Sequence, residues 1–284
     1  MEGHEGACSS GTCRYITFKE LRIRNASETS RQVQRRGDLA MAQHTSGDER
    51  QKYIESITRG HEIFEGMLEY VNSKPKESCA ELNAFYSFLD HRIAWKNVSE
   101  IYLYATDTAS CMLCARVIYE HLRSEKSGLR PGVKVQEPIR VKHWGVGYFE
   151  EGLKSLMDLL AGIIKSKKEQ GYRVFVNATA GFKPEAVFAT ITSALLKADG
   201  VYYIHEAHRN LIYMPLLPLT IERKYVRALR KLGYWIPKKA AEELLRIEGL
   251  SLMDLEDMGL LEEKDGKVKV RKWVKALLSR KVLA

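Results

Sequence analysis

The feature that most constrains this chain is a regular alternation of short apolar runs with longer amphipathic stretches across residues 101–213. Ile101-Tyr102-Leu103-Tyr104-Ala105-Thr106 has the length and character of a buried strand, and a helical pattern follows over 110–123. A further strand is expected within 133–141. A long amphipathic helix is expected across 148–168, where Leu153, Leu156, Leu160 and Ile164 recur at helical spacing. Residues 172–176 read as the next strand and 184–197 as the next helix, and 200–204 and 211–213 finish the series. Near-continuous apolar strands separated by helices bury both faces of a sheet, so the expected class is α/β with a mostly parallel sheet.

The flanks differ. Ile54, Ile57, Ile63, Phe64, Met67, Leu68 and Val71 predict one helix over 51–71, and a second is expected after Lys76 with Ala80, Leu82, Phe85 and Leu89 inward. Residues 1–50 are polar and read as a poorly defined segment, mostly loop, with a short strand at most near 15–18. Beyond Pro215-Leu216-Leu217-Pro218 the pattern predicts three short helices (222–232, 237–247, 251–258), a hairpin centred on Asp265-Gly266, and a basic helix over 272–281. That order is the order of a winged helix-turn-helix. A small helical cap that packs on the sheet or dimerises fits it equally. The expected division is therefore a poorly defined segment (1–50), a Rossmann-like ligand-binding domain (51–219) and a small C-terminal winged-helix-like domain (220–284).

A formal net charge of +9 favours anionic partners, and much of the excess lies in residues 220–284. No stretch approaches the roughly 20 uninterrupted apolar residues of a membrane helix, and the first ten residues lack the apolar core of a signal peptide. The expectation is a cytoplasmic protein with no membrane partner. Five cysteines are too few and too scattered for a disulfide framework. Cys111 and Cys114 have the spacing of a redox or zinc half-site, but they fall in an apolar helical run where free cysteine acts as a small hydrophobe.

In open α/β sheets ligands bind beyond the carboxyl ends of the strands. The strand ending at Asn177 runs into Ala178-Thr179-Ala180-Gly181-Phe182-Lys183-Pro184. Small residues let backbone N–H groups approach a ligand, Pro184 suits a first helical turn, and the helix N-terminus presents free donors to an anion beside Lys183. A plain connecting turn with a solvated lysine is the other reading, and the spacing of a P-loop is missing. Thr106, Asp107 and Thr108 close an earlier strand, where they can hydrogen-bond ribose or base, or cap the helix that follows. Arg116 and His121 share the Arg-x4-His spacing of a metal-independent RNase, yet they lie on a crossover helix. His205 and His208 are candidate acid–base groups with no visible partner.

Asn177-Ala-Thr-Ala-Gly-Phe-Lys-Pro-Glu185 resembles the Asn-x-Thr-Gly-Gly-Phe-Lys-x-Glu signature of CRISPR-associated Rossmann fold (CARF) proteins, in the branch that contains archaeal ring nucleases. Ala80-Glu81-Leu82-Asn83, Tyr104-Ala105-Thr106-Asp107-Thr108 with Cys114-Ala115, and Tyr202-Tyr203-Ile204-His205-Glu206 match in order and spacing over about residues 75–220. The resemblance implies a homodimer that binds cyclic oligoadenylate, typically cyclic tetra-adenylate, across its two-fold axis. It implies cleavage with neither metal nor cofactor. By the same resemblance Lys183 is the catalytic cation, and Asn177, Thr179, Ala180, Gly181 and Phe182 line the site. Thr106, Asp107 and Thr108 contact ribose or adenine, while Glu81 and Asn83 stand near the rim. The family's first strand ends in Gly-Thr-Ser, which 16–25 of this chain lacks, and Ala180 replaces a more usual glycine.

Two functions follow from the resemblance. A ring nuclease would lower cyclic oligoadenylate in type III antiviral defence. A non-catalytic sensor would regulate transcription by binding DNA through the C-terminal domain, with Lys272 and Lys275 near phosphates. A sensor-effector RNase would need a histidine-bearing site near the C-terminus, and no histidine follows His208.

Overall fold

The computed structural model describes residues 13–17, 49–91, 97–142, 149–179, 183–205, 210–214, 216 and 219–278. In chain order these form β1 (Cys13–Thr17), α1 (Glu49–Ser56), α2 (Glu62–Ser73), α3 (Pro75–Ser78), α4 (Ala80–His91), β2 (Val98–Thr106) and α5 (Ala109–Arg123). Next come β3 (Lys134–Val135), β4 (Ile139–Val141), α6 (Phe149–Glu169), β5 (Arg173–Asn177), α7 (Lys183–Leu195), β6 (Gly200–Ile204) and β7 (Leu211–Met214). The remainder comprises α8 (Arg223–Lys231), β8 (Ile236–Pro237), α9 (Lys238–Ile247), α10 (Leu252–Asp257), β9 (Leu261–Lys264), β10 (Lys267–Val270) and α11 (Lys272–Leu277).

The main sheet has the order β3-β2-β1-β5-β6-β7, with β4 also paired to β2. β1 through β6 pair in parallel, and β7 runs antiparallel to β6 at the edge. Side chains alternate across the sheet with period two. Leu103, Ala105, Phe175, Tyr202 and Ile204 pack with buried residues of α1, α2, α4 and α5, including Ile54, Phe64, Phe88 and Val117. Tyr104, Val174, Val176 and Val201 pack instead with Leu156, Leu160 and Ile164 of α6. Both faces are covered, as the apolar strand pattern requires. On the first face Phe88 stacks almost parallel on Tyr202, centroids 4.1 Å apart, and also meets Phe175.

The short strand read near 15–18 is present as β1, a central strand between β2 and β5; the other residues before 49 lie outside the described ones. Two sequence expectations need correction. The single helix expected over 51–71 is two, because Gly60 adopts φ +92° and His61 then caps α2, its Nδ1 accepting from Ile63 N at 3.2 Å. The strand expected within 133–141 is also two, β3 and β4. Pro138 between them has no N–H for a ladder.

In the C-terminal segment β8, β10 and β9 form a three-stranded sheet. Asp265 (φ 50°) and Gly266 (φ 70°) both occupy the left-handed region, which is what a tight two-residue hairpin turn demands. The expected basic helix 272–281 is described as α11, with 279–284 outside the described residues. This segment shares one core with the second face of the sheet: Trp273, Val274 and Leu277 belong to the same buried cluster as Leu156, Leu160 and Ile164. Asp158 of α6 accepts from Trp273 N at 2.7 Å, and Arg271 pairs with Glu151 at 3.2 Å. Among the described residues no helix is long and apolar enough to cross a membrane.

Candidate functional site

The strand order fixes where a ligand crevice forms. From β1 the chain builds outward through β2 to β3 and β4, and from β5 it builds the other way through β6, so the order reverses between β1 and β5. Thr17 lies level with Asn177 across that reversal, at the carboxyl ends of the two strands. This is the topological switch point at which open α/β sheets place their ligands.

The turn leaving β5 is braced from within. Asn177 is fully buried, and its Nδ2 donates to the backbone carbonyl of Glu81 at 3.1 Å. Its Oδ1 accepts from Thr179 N at 3.1 Å and from the Thr179 hydroxyl at 2.5 Å. Thr179 Oγ1 accepts in turn from Ile204 N at 3.2 Å, and Ala178 N donates to Tyr202 O at 2.8 Å. Asn177 and Thr179 thus tie β5 to β6 and to the first turn of α4. Their polar atoms shape the turn from inside the protein. Ala180, Gly181 and Phe182 lie outside the described residues. The chain re-enters as α7, whose first residue is Lys183, so the lysine backbone stands at the positive end of a 13-residue helix. Pro184 follows, in the first turn, where its missing N–H is no loss. Glu185 is wholly buried beneath it.

The second group divides by role. Thr108 caps α5, its Oγ1 accepting from Cys111 N at 3.2 Å, which is the capping reading of that residue. Gln51 of α1 accepts from Ala109 N at 2.6 Å and closes the same helix end. Asp107 pairs with Arg140 at 3.3 Å; Arg140 also reaches Glu55 at 2.6 Å, and Arg116 meets Glu55 at 3.5 Å. The hydrogen bond from Arg140 outweighs partial burial and holds the Glu55 carboxyl below its ordinary range. Thr106 is different. It is 4% exposed, and its hydroxyl finds no hydrogen-bond partner among the described residues. Glu81 is buried at the first turn of α4, and Asn83 accepts from Ser87 Oγ at 3.2 Å along the same helix.

Gln51, Glu55 and Arg140 were not among the sequence candidates. They sit in a polar helical turn and a three-residue strand, and only the fold brings them to the end of β2. The reverse holds for His121. It is fully buried, with Nε2 at 2.7 Å from Tyr86 Oη and Nδ1 at 2.8 Å from Asn72 Oδ1, and burial lowers its pKa to about 4. A neutral ring with its proton on Nδ1 satisfies both contacts. The Arg-x4-His spacing therefore serves the core, and Arg116 serves the Glu55 cluster. His205 N donates to Asn210 O at 3.0 Å, and His208 lies outside the described residues. Cys111 is buried and Cys114 half-buried on α5, both as free thiols, in keeping with core packing. Among the described residues no group of three or more His, Cys, Asp or Glu is placed to hold a metal ion.

A family model described as CRISPR-associated protein (Cas_APE2256) matches residues 76–217, half of the chain. The match spans α4, β2 with its Thr106 end, the turn after β5, and β6. It thus covers the β5 side of the switch point, while β1 on the other side precedes the matched residues. The chain belongs to this family of CRISPR-associated proteins.

Proposed function

We propose that the sheet is Rossmann-like, that its carboxyl-edge crevice binds a cyclic oligoadenylate, and that the bound ring is cleaved in type III antiviral defence. The observation that carries this reading is the internally braced turn at the switch point, which delivers α7 with Lys183 at its positive end. An oligoadenylate ring offers what such a crevice selects: phosphates for the helix end and lysine, and ribose and adenine edges for polar groups. The unsatisfied buried hydroxyl of Thr106 supplies one such group.

Cleavage follows from positioning. A ribose 2′-oxygen attacks the adjacent phosphorus, the bond from phosphorus to the 5′-oxygen breaks, and the 2′-proton passes to the departing oxygen. The products are a 2′,3′-cyclic phosphate and a 5′-hydroxyl. The protein's part is to hold the attack in line and to stabilise charge developing on the phosphate. Lys183 is assigned the second of these roles.

A homodimer fits the same reading. Val187 (52% exposed) and Ile191 (40% exposed) follow Lys183 at four-residue intervals and share its face of α7. A second copy covering that apolar stripe would bring two Lys183 residues towards one two-fold ring.

The test is incubation of the full chain with labelled cyclic tetra-adenylate in EDTA. Linear products that disappear in Lys183→Ala support the enzyme. Tight binding with an intact ring after many hours overturns cleavage and leaves a sensor.

A further inference from the structure

We propose that the turn between α8 and β8 is a binding surface for single-stranded nucleic acid. The helix that follows the α9 turn occupies the place where a helix-turn-helix protein reads duplex DNA, and its chemistry is wrong for that role. α10 carries Asp254, Glu256 and Asp257 and exposes Met253. Carboxylates on that helix repel duplex phosphates. The cations lie elsewhere.

Tyr234 is 86% exposed in the α8–β8 turn, far beyond what packing explains for a tyrosine, and Trp235 beside it is 37% exposed. Basic groups converge on this pair from three elements. Lys275 of α11 donates to Gly233 O at 2.6 Å, directly before Tyr234. Lys269 of β10 lies over the Trp235 ring, 4.4 Å from its centroid. Arg230 of α8, four residues before Tyr234, donates to Leu278 O at 3.2 Å. Some neighbouring charge is neutralised within the protein: Lys269 pairs with Glu262, and Arg227 and Lys231 pair with Glu248. Arg230 and Lys275, by contrast, bond only to backbone carbonyls and make no ion pair among the described residues.

An exposed ring flanked by cations held on backbone carbonyls matches the chemistry of a flexible polyanion with unstacked bases. A base stacks on Tyr234, and the neighbouring phosphates meet Lys275 and Arg230. Duplex DNA buries its base faces and cannot use the ring. The surface belongs to the C-terminal segment and shares no residue with the switch-point site.

Fluorescence anisotropy with a labelled 15-nucleotide RNA, the DNA of the same sequence and the corresponding duplex tests the proposal on the full chain. Expected is salt-sensitive binding of single strands over duplex, weakened about tenfold or more by Tyr234→Ala and retained by Tyr234→Trp. Arg230→Gln should lower the salt slope by about 0.7. Preference for RNA over DNA would identify the natural strand. Binding should persist in Lys183→Ala and under saturating cyclic tetra-adenylate. Duplex bound as tightly as single strands, absence of single-strand binding at low salt, indifference to Tyr234→Ala in a variant of unchanged Tm, or displacement by the ring would each overturn it.

Discussion

The side-chain amide of Asn177 donates to the main-chain carbonyl of Glu81, 3.1 Å away and 96 positions earlier in the chain. One buried hydrogen bond thereby locks the end of β5 to the start of α4, and the Oδ1 of the same side chain holds Thr179 in place. Replacing Asn177 by Ala removes three hydrogen bonds, one donated to the Glu81 carbonyl and two accepted from Thr179, each worth about 0.5–1.5 kcal/mol. Asn177→Ala should lose about 2–4 kcal/mol in urea denaturation, and the turn before Lys183 should lose its shape with it.

Thr106 should behave in the opposite way. Its hydroxyl is buried with no partner among the described residues, so Thr106→Val removes an unsatisfied group while keeping the shape. Stability measured by thermal melting should stay level or rise slightly. Affinity for cyclic tetra-adenylate should fall by about 0.5–1.5 kcal/mol, the worth of one hydrogen bond. Unchanged affinity would remove Thr106 from the site.

His121 sets a pH dependence. Burial lowers its folded pKa to about 4, against about 6.5 for an unfolded histidine. The unfolded chain therefore binds the extra proton first. This contribution is fully present above about pH 6.5 and is lost as pH falls towards 4, amounting to about 2 kcal/mol between pH 7 and pH 5. His121→Gln is less stable at pH 7 but should show a correspondingly smaller loss between the two pH values in urea denaturation.

The α7 stripe makes a prediction about assembly. Val187→Glu combined with Ile191→Glu puts two carboxylates on a solvent-exposed face, so each folded chain should keep its Tm. Sedimentation should show a dimer in the parent and a monomer in the double variant. A parent that sediments as a monomer at all concentrations would contradict the dimer.

How much of this was legible in the sequence depends on whether a feature is local. The strands ending at Thr106 and Asn177 are continuous apolar runs, and their helices carry clear periodicity, so sheet class and strand ends could be read directly. β1 could not. Cys13-Arg14-Tyr15-Ile16-Thr17 is short and carries a charge, and its strand character comes from pairing with β2 and β5, which lie far away in sequence. The site divides in the same manner. Thr108 as a cap follows from its position before a helix, whereas the Asp107–Arg140–Glu55 chain joins three separate elements and left no local mark. Lys275 reads in the sequence only as one cation of a basic helix; its hydrogen bond to Gly233 O, 42 positions earlier, is a product of the fold.

The most direct test of ring binding at the switch point is calorimetric titration of the full chain with cyclic tetra-adenylate in EDTA, alongside Lys183→Ala. Saturable binding of one ring per dimer is expected, weakened at least about tenfold by loss of the lysine charge at the start of α7. A folded parent protein that takes up no ring, or a Lys183→Ala protein that binds it equally well, would contradict the assignment of the switch-point crevice.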